Sequence, residues 1–142
     1  MRSLFAVLLL TSLASACGGD TSTPTAPSLN VPFSTTTLRE GTGPQAATGN
    51  AMTVNYTLWL YSTTAADNKG QQIQTTVGGP PFTFVLGSNL IPGFTQGVTG
   101  MRQGELRRIV IPPNLGYGSQ GSTGIPPNAT LLFEVDLLTL VQ

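Results

Sequence analysis

The sequence predicts an α+β domain: a curved antiparallel β-sheet wrapped around one short α-helix. Three observations carry this expectation. In residues 51–61, Met52, Val54, Tyr56, Leu58 and Leu60 alternate with Thr53, Asn55 and Thr57, the period of a strand with one buried face. Two proline pairs, Pro112–Pro113 and Pro126–Pro127, bracket a Gly/Ser-rich loop, and proline cannot donate to a β-ladder. Only Ile91–Val98 reads as helix, and it is short, so one helix must pack on one sheet.

The chain opens on a leader pattern. Arg2 precedes an apolar run, Leu4–Leu13, that is too short to span a bilayer as mature structure. Leu13-Ala14-Ser15-Ala16-Cys17 then resembles the cleavage site of a bacterial lipoprotein signal, which implies a signal peptide over residues 1–16 and lipid on Cys17. The alternative is an ordinary secretory signal cut after Ala16. Residues 17–33 are polar and proline-punctuated, a flexible tether that would hold the domain roughly 20 Å from its anchor. The expected localisation is therefore exported: a membrane-anchored lipoprotein of the cell envelope, on the periplasmic side in a Gram-negative cell.

The domain itself is expected over residues 34–142. A strand begins near Ser34. Ala51–Tyr61 is the long amphipathic strand, with Trp59 and Tyr61 partly covered on its polar side. Residues 63–70 read as a surface hairpin loop. Phe82–Leu86 is a strand with Phe84 in the core. Ile91–Val98 is the helix, with Pro92 in its first turn, where a missing N–H costs little, and with Phe94 and Val98 buried against the sheet. Glu105–Ile111 and Thr130–Val141 complete the strands, with Arg107 and Arg108 on a solvated face.

Composition excludes several function classes. The chain has 142 residues, formal net charge zero and 8% charged residues, so no basic patch points to nucleic acid. There is no histidine, which removes the commonest general base and any Ser-His-Asp triad. The single cysteine rules out an internal disulfide and a Cys-based zinc site. No metal site is expected. With no long exposed apolar stripe, the expected state is a monomer.

The most informative motifs lie together in order. Ile109-Val110-Ile111-Pro112-Pro113-Asn114-Leu115-Gly116-Tyr117-Gly118 is followed by Ile125-Pro126-Pro127-Asn128-Ala129-Thr130-Leu131-Leu132-Phe133. Upstream stand Val54-Asn55-Tyr56-Thr57, Pro81-Phe82-Thr83-Phe84-Val85-Leu86-Gly87 and Leu90-Ile91-Pro92-Gly93-Phe94. Together they closely resemble the FK506-binding-protein (FKBP) family of peptidyl-prolyl cis–trans isomerases, over about residues 37–142. The resemblance implies rotation of an X–Pro peptide bond, no cofactor, and proline-containing polypeptides and FK506-like macrolides as ligands.

It also implies a site. Phe94 would form the floor under a prolyl ring, and Tyr56, Phe82, Leu90, Ile91 and Phe133 the walls. Tyr117 would donate its phenol to a substrate carbonyl, the Ile91 N–H would bind another, and Ile125 would sit at the rim. Tyr56, Phe94, Tyr117 and Phe133 are the implied catalytic residues, and Ile73, Gln74, Phe82, Leu90, Ile91 and Ile125 the implied substrate contacts. Phe94 stands where the family commonly has tryptophan. Ile73 and Gln74 stand where it has an aromatic residue followed by aspartate, so a carboxylate is exchanged for a neutral amide. Leu115 stands where an aromatic is common. Two function classes follow: an isomerase acting on exported proteins, or a binding module that grips proline-containing segments with little turnover, which Gln74 favours.

Overall fold

A computed structural model describes residues 30–142. The leader, Cys17 and nearly all of the tether lie outside the described residues. Six strands and one helix follow in the order β1 (Ser34–Arg39), β2 (Ala51–Tyr61), β3 (Lys69–Thr75), β4 (Phe82–Val85), α1 (Pro92–Val98), β5 (Leu106–Ile111) and β6 (Leu131–Val141). The sheet is antiparallel, ordered β1-β5-β6-β2-β3, with β4 also paired to β2.

β2 is the spine. It pairs with β6 along its whole length, from Ala51↔Val141 to Leu60↔Leu131. Its other edge is shared: β4 takes Ala51–Val54 and β3 takes Thr57–Tyr61. Its alternation puts Met52, Val54 and Leu58 in the core. Register breaks at Thr53/Val54 and Leu58/Trp59 bend the ladder, since a bulge adds local twist. The concave face this produces receives α1, as the sequence predicts.

β3 differs from expectation. Lys69 and Gly70 open a strand rather than close a hairpin loop. The segment reads Lys-Gly-Gln-Gln-Ile-Gln-Thr, with one apolar residue and no period-two pattern. It is an edge strand that pairing with β2 recruits, as cross-strand context outweighs intrinsic preference. The loop before it makes one 3-10 turn, Ala66–Asn68.

The helix has only seven residues and no side-chain N-cap, so its stability is tertiary. Pro92 occupies its first turn. Gly93 and Gly97 face β5: a methyl added at Gly93 would lie 2.3 Å from Ile111 Cγ2, and at Gly97 2.5 Å from Ile109 Cγ2. The helix axis therefore sits closer to the sheet than any side chain would permit. At its other end Arg107 Nη1 donates to the carbonyls of Gly97 (3.0 Å) and Thr99 (3.3 Å), a cation at the helix C-terminus.

That contact corrects the reading of the two arginines as solvated. Arg107 lies on the concave side, where its Nε donates to Glu105 Oε1 at 2.6 Å. Glu105 is 3% exposed and also accepts from Thr37 Oγ1 and the Arg102 N–H, so the buried carboxylate is satisfied. Arg108 points to the convex side, where its Nε and Nη2 donate to Glu134 Oε1. Lys69 joins the same oxygen at 2.9 Å and lies 4.6 Å above the Trp59 ring. Both arginines have partners because β5 places them beside acidic residues that lie far away in sequence or on the turn before it.

Two outcomes test this packing. Gly93→Ala is expected to destabilise the fold by about 1–3 kcal/mol in urea denaturation, because overpacking against Ile111 outweighs the helix-propensity gain. Glu134 loses solvation on burial, which would raise its pKa, but hydrogen bonds and charge from Arg108 and Lys69 outweigh this and hold it below its ordinary 4.5. Its contribution to stability is thus present above that value and lost as pH falls through the lower folded value. Wild type is expected to exceed Glu134→Gln in stability at neutral pH, and the gap to close in acid denaturation below about pH 4.

Candidate active site

Five aromatic rings meet between α1 and the sheet. Phe94 from α1 lies 5.2 Å from Phe133 on β6, 5.6 Å from Phe84 on β4 and 6.2 Å from Tyr56 on β2, all edge-to-face. Tyr56 in turn lies 5.8 Å from Phe82 and from Phe133. Edge-to-face contacts of this kind add roughly 0.5–1.5 kcal/mol each beyond area burial, and they fix ring orientation. Phe84 is buried in the core as the sequence predicts; the rings beside it border a cleft.

The cleft has a volume of about 220 Å³. It is lined by Tyr56, Leu58, Gln74, Phe82, Leu90, Ile91, Phe94, Tyr117 and Phe133. Each comes from a different local cause. Tyr56 and Leu58 are successive inward residues of β2. Gln74 pairs with Leu58 from β3. Leu90 and Ile91 lead into α1, with Ile91 at its N-cap position. Phe133 pairs with Leu58 from β6.

Tyr117 comes from the loop after β5. Pro112 ends that strand, and Pro113–Leu115 makes a 3-10 turn. Gly118, at φ 59°, donates its N–H to the Pro113 carbonyl at 2.9 Å and accepts from Asn128 at 2.8 Å. A residue that must take positive φ favours glycine, and here it ties both sides of the loop together next to Tyr117.

Eight of the ten contacts named from sequence line this cleft; Ile73 and Ile125 do not. Leu58 pairs with Gln74 and Trp59 with Gln72, which leaves Ile73 unpaired in a β-bulge, where it packs against the core cluster near Gly124. Ile125 is 7% exposed and belongs to the core rather than the rim. Reciprocal backbone hydrogen bonds between Ser122 and Ile125, both 2.9 Å, close a tight turn there. Leu58 is the lining residue that the sequence reading left among ordinary core positions. Its signal was present: it stands two residues from Tyr56 on the same strand face.

The lining carries no formal charge. Its polar groups are two phenols and the Gln74 amide. Burial raises the Tyr56 pKa above its ordinary 10.0, and the nearby Tyr117 phenol raises it further. Tyr56 is therefore a neutral O–H donor at physiological pH. No side-chain hydrogen bond among the described residues holds that phenol, which leaves it free to meet a ligand. Such a cleft desolvates an apolar group and offers donors to a carbonyl, and it has no acid–base pair for proton transfer.

Comparisons with known proteins agree on one family. The FKBP-type peptidyl-prolyl cis-trans isomerase profile matches residues 43–138. An FK506-binding protein of Neisseria meningitidis serogroup A is 41% identical over 107 residues, covering 74% of this chain and 93% of that protein. The crystal structure of FkpA from Escherichia coli superposes with a TM-score of 0.67 at 34% identity, over 77% of this chain and 48% of that one. That of a peptidyl-prolyl cis-trans isomerase from Pseudomonas syringae pv. tomato gives 0.65 at 31% identity, over 78% and 76%. With its fold, its aromatic cleft and these relatives, the chain belongs to the FKBP-type peptidyl-prolyl cis-trans isomerase family.

Proposed function

We propose that this domain accelerates X–Pro rotation in exported polypeptides by holding the twisting imide in its uncharged aromatic cleft. The single observation behind the reading is the cleft itself: Phe94 and Phe133 beneath, Tyr56, Phe82, Ile91 and Tyr117 around them, and no charged side chain. Rotation about the imide breaks amide resonance against a barrier of about 18–20 kcal/mol. The planar amide is the more polar state, so an apolar surround disfavours it relative to the twisted one. Phe94 supplies a flat surface for the prolyl ring. The Tyr117 O–H and the Ile91 N–H donate to carbonyls on either side of the rotating bond. Every tenfold in rate requires about 1.4 kcal/mol of differential stabilisation, within the reach of a few such contacts.

Gln74 favours a second reading, a module that grips proline-containing segments with little turnover, because its amide carries no charge into the cleft. A peptide isomerisation assay on the protein separates the two. The isomerase reading expects a rate above the uncatalysed one, a fall of about tenfold in kcat/KM for Tyr117→Phe, and a larger fall for Phe94→Ala. It also expects a flat rate from about pH 5 to pH 9, since Tyr56 stays protonated throughout. Peptide binding without acceleration would support the module instead.

The leader supports an exported, lipid-anchored protein, with acyl chains rather than charge attaching it to the membrane. Among the described residues no helix is long and apolar enough to cross a membrane. Labelling with a radioactive fatty acid in a bacterial host tests the anchor: incorporation is expected in wild type and lost in Cys17→Ala, and an unlabelled wild-type protein would remove lipidation from the reading.

A further inference from the structure

We infer that Leu58 is a specificity-determining residue that limits the size of the side chain accepted immediately before proline. The inference rests on the isomerase reading above.

The lining residues differ in depth. Leu58, Phe94 and Phe133 are 3%, 4% and 5% exposed, whereas the others are half-buried or exposed. These three form the bottom of the cleft. Phe94 and Phe133 are flat rings 5.2 Å apart, suited to a prolyl ring. Leu58 is the aliphatic remainder of the floor. It lies on β2 between Phe133 on one neighbouring strand and Gln74 on the other. The walls Leu90 and Ile91 lead into α1, with Ile91 at its N-cap position.

The floor of the 220 Å³ cleft extends beyond the two rings to Leu58, and a residue bonded to the proline is the group within reach of it. The side chain before proline branches one atom beyond the carbonyl carbon bonded to the ring nitrogen. The side chain after proline branches one atom further from the ring, beyond the carbonyl carbon and the next amide nitrogen. The preceding side chain is therefore the nearer candidate, and the floor left for it is Leu58. Leu58 is clamped by ladders on both sides, so it has little room to retreat before a larger group.

The test compares wild type, Leu58→Val and Leu58→Phe on peptides with Ala, Leu or Phe before proline. Leu58→Val is expected to raise the Phe-over-Ala ratio of kcat/KM and Leu58→Phe to lower it, with a span of about tenfold carried mainly by KM. Thermal melts establish which variants are folded. If the larger residue does not fold, the direction given by Leu58→Val decides. A change by the same factor for all three peptides would overturn the proposal and leave Leu58 as ordinary core. If wild type accelerates none of them, the isomerase reading fails, and the relative peptide affinities from NMR titration of the same three proteins decide the Leu58 proposal by the same ratio. Peptides that neither bind nor turn over would overturn both.

Discussion

The close approach of α1 to β5 is the constraint on which the site depends. A seven-residue helix without a side-chain N-cap has too little internal cooperativity to hold its own geometry. Contact with the sheet supplies it. Gly93 lets Ile111 press against the helix backbone, and Gly97 does the same for Ile109. Phe94 sits on the same helix beside the first glycine. Its ring lands among Tyr56, Phe84 and Phe133 only because the backbone can descend that far. Ile91, one residue before the helix, is placed by the same descent. Depth of seating thus sets both the floor of the cleft and one of its walls.

Polar groups are used to fasten this apolar site from outside it. Arg107 holds the helix C-terminal carbonyls and is itself held by Glu105, a carboxylate with further donors from Thr37 and Arg102. On the convex side, Glu134 gathers Arg108 and Lys69 and ties β5, β6 and β3 together. The partly exposed Glu134 pairs contribute modestly to stability. Their greater use here is geometric: they keep charge paired away from a cleft whose proposed chemistry depends on a weakly polar surround. A truncation at Arg107 would leave Glu105 buried without its closest partner, which is costlier than the pair is favourable.

Much of this architecture is legible in the sequence because burial leaves a local trace. β2, β4, β5, β6 and α1 each carry a period or a proline boundary, and their observed limits fall close to those expected. β3 leaves no such trace, since an edge strand rich in glutamine is defined by its neighbour rather than by itself. Arg107 was misread for a related reason. Alternation assigns it a strand face, but the helix end that accepts its hydrogen bonds comes from another part of the chain. The site shows the same division. Motif order brings Tyr56, Phe82, Phe94, Tyr117 and Phe133 together correctly, because each lies in a recognisable segment. Ile125 looks accessible in a Gly/Pro-rich loop, yet a tight turn folds it inward. Ile73 is displaced by a bulge that no periodicity announces.

The chain's only tryptophan is Trp59, adjacent to Leu58 in β2 and therefore on the opposite side of the sheet from the cleft. An ammonium group rests over its ring, and its strand neighbours are Gln72 and Leu132. Nature has in effect placed a single fluorophore on the back of the site. Its emission registers the integrity of the β2–β3 seam and the position of the Lys69 cation, while Tyr56 and Tyr117 lie at the front. Excitation at the long-wavelength edge selects this indole over the phenols, so loosening of the scaffold can be followed in an unlabelled molecule apart from the rings that border the hollow.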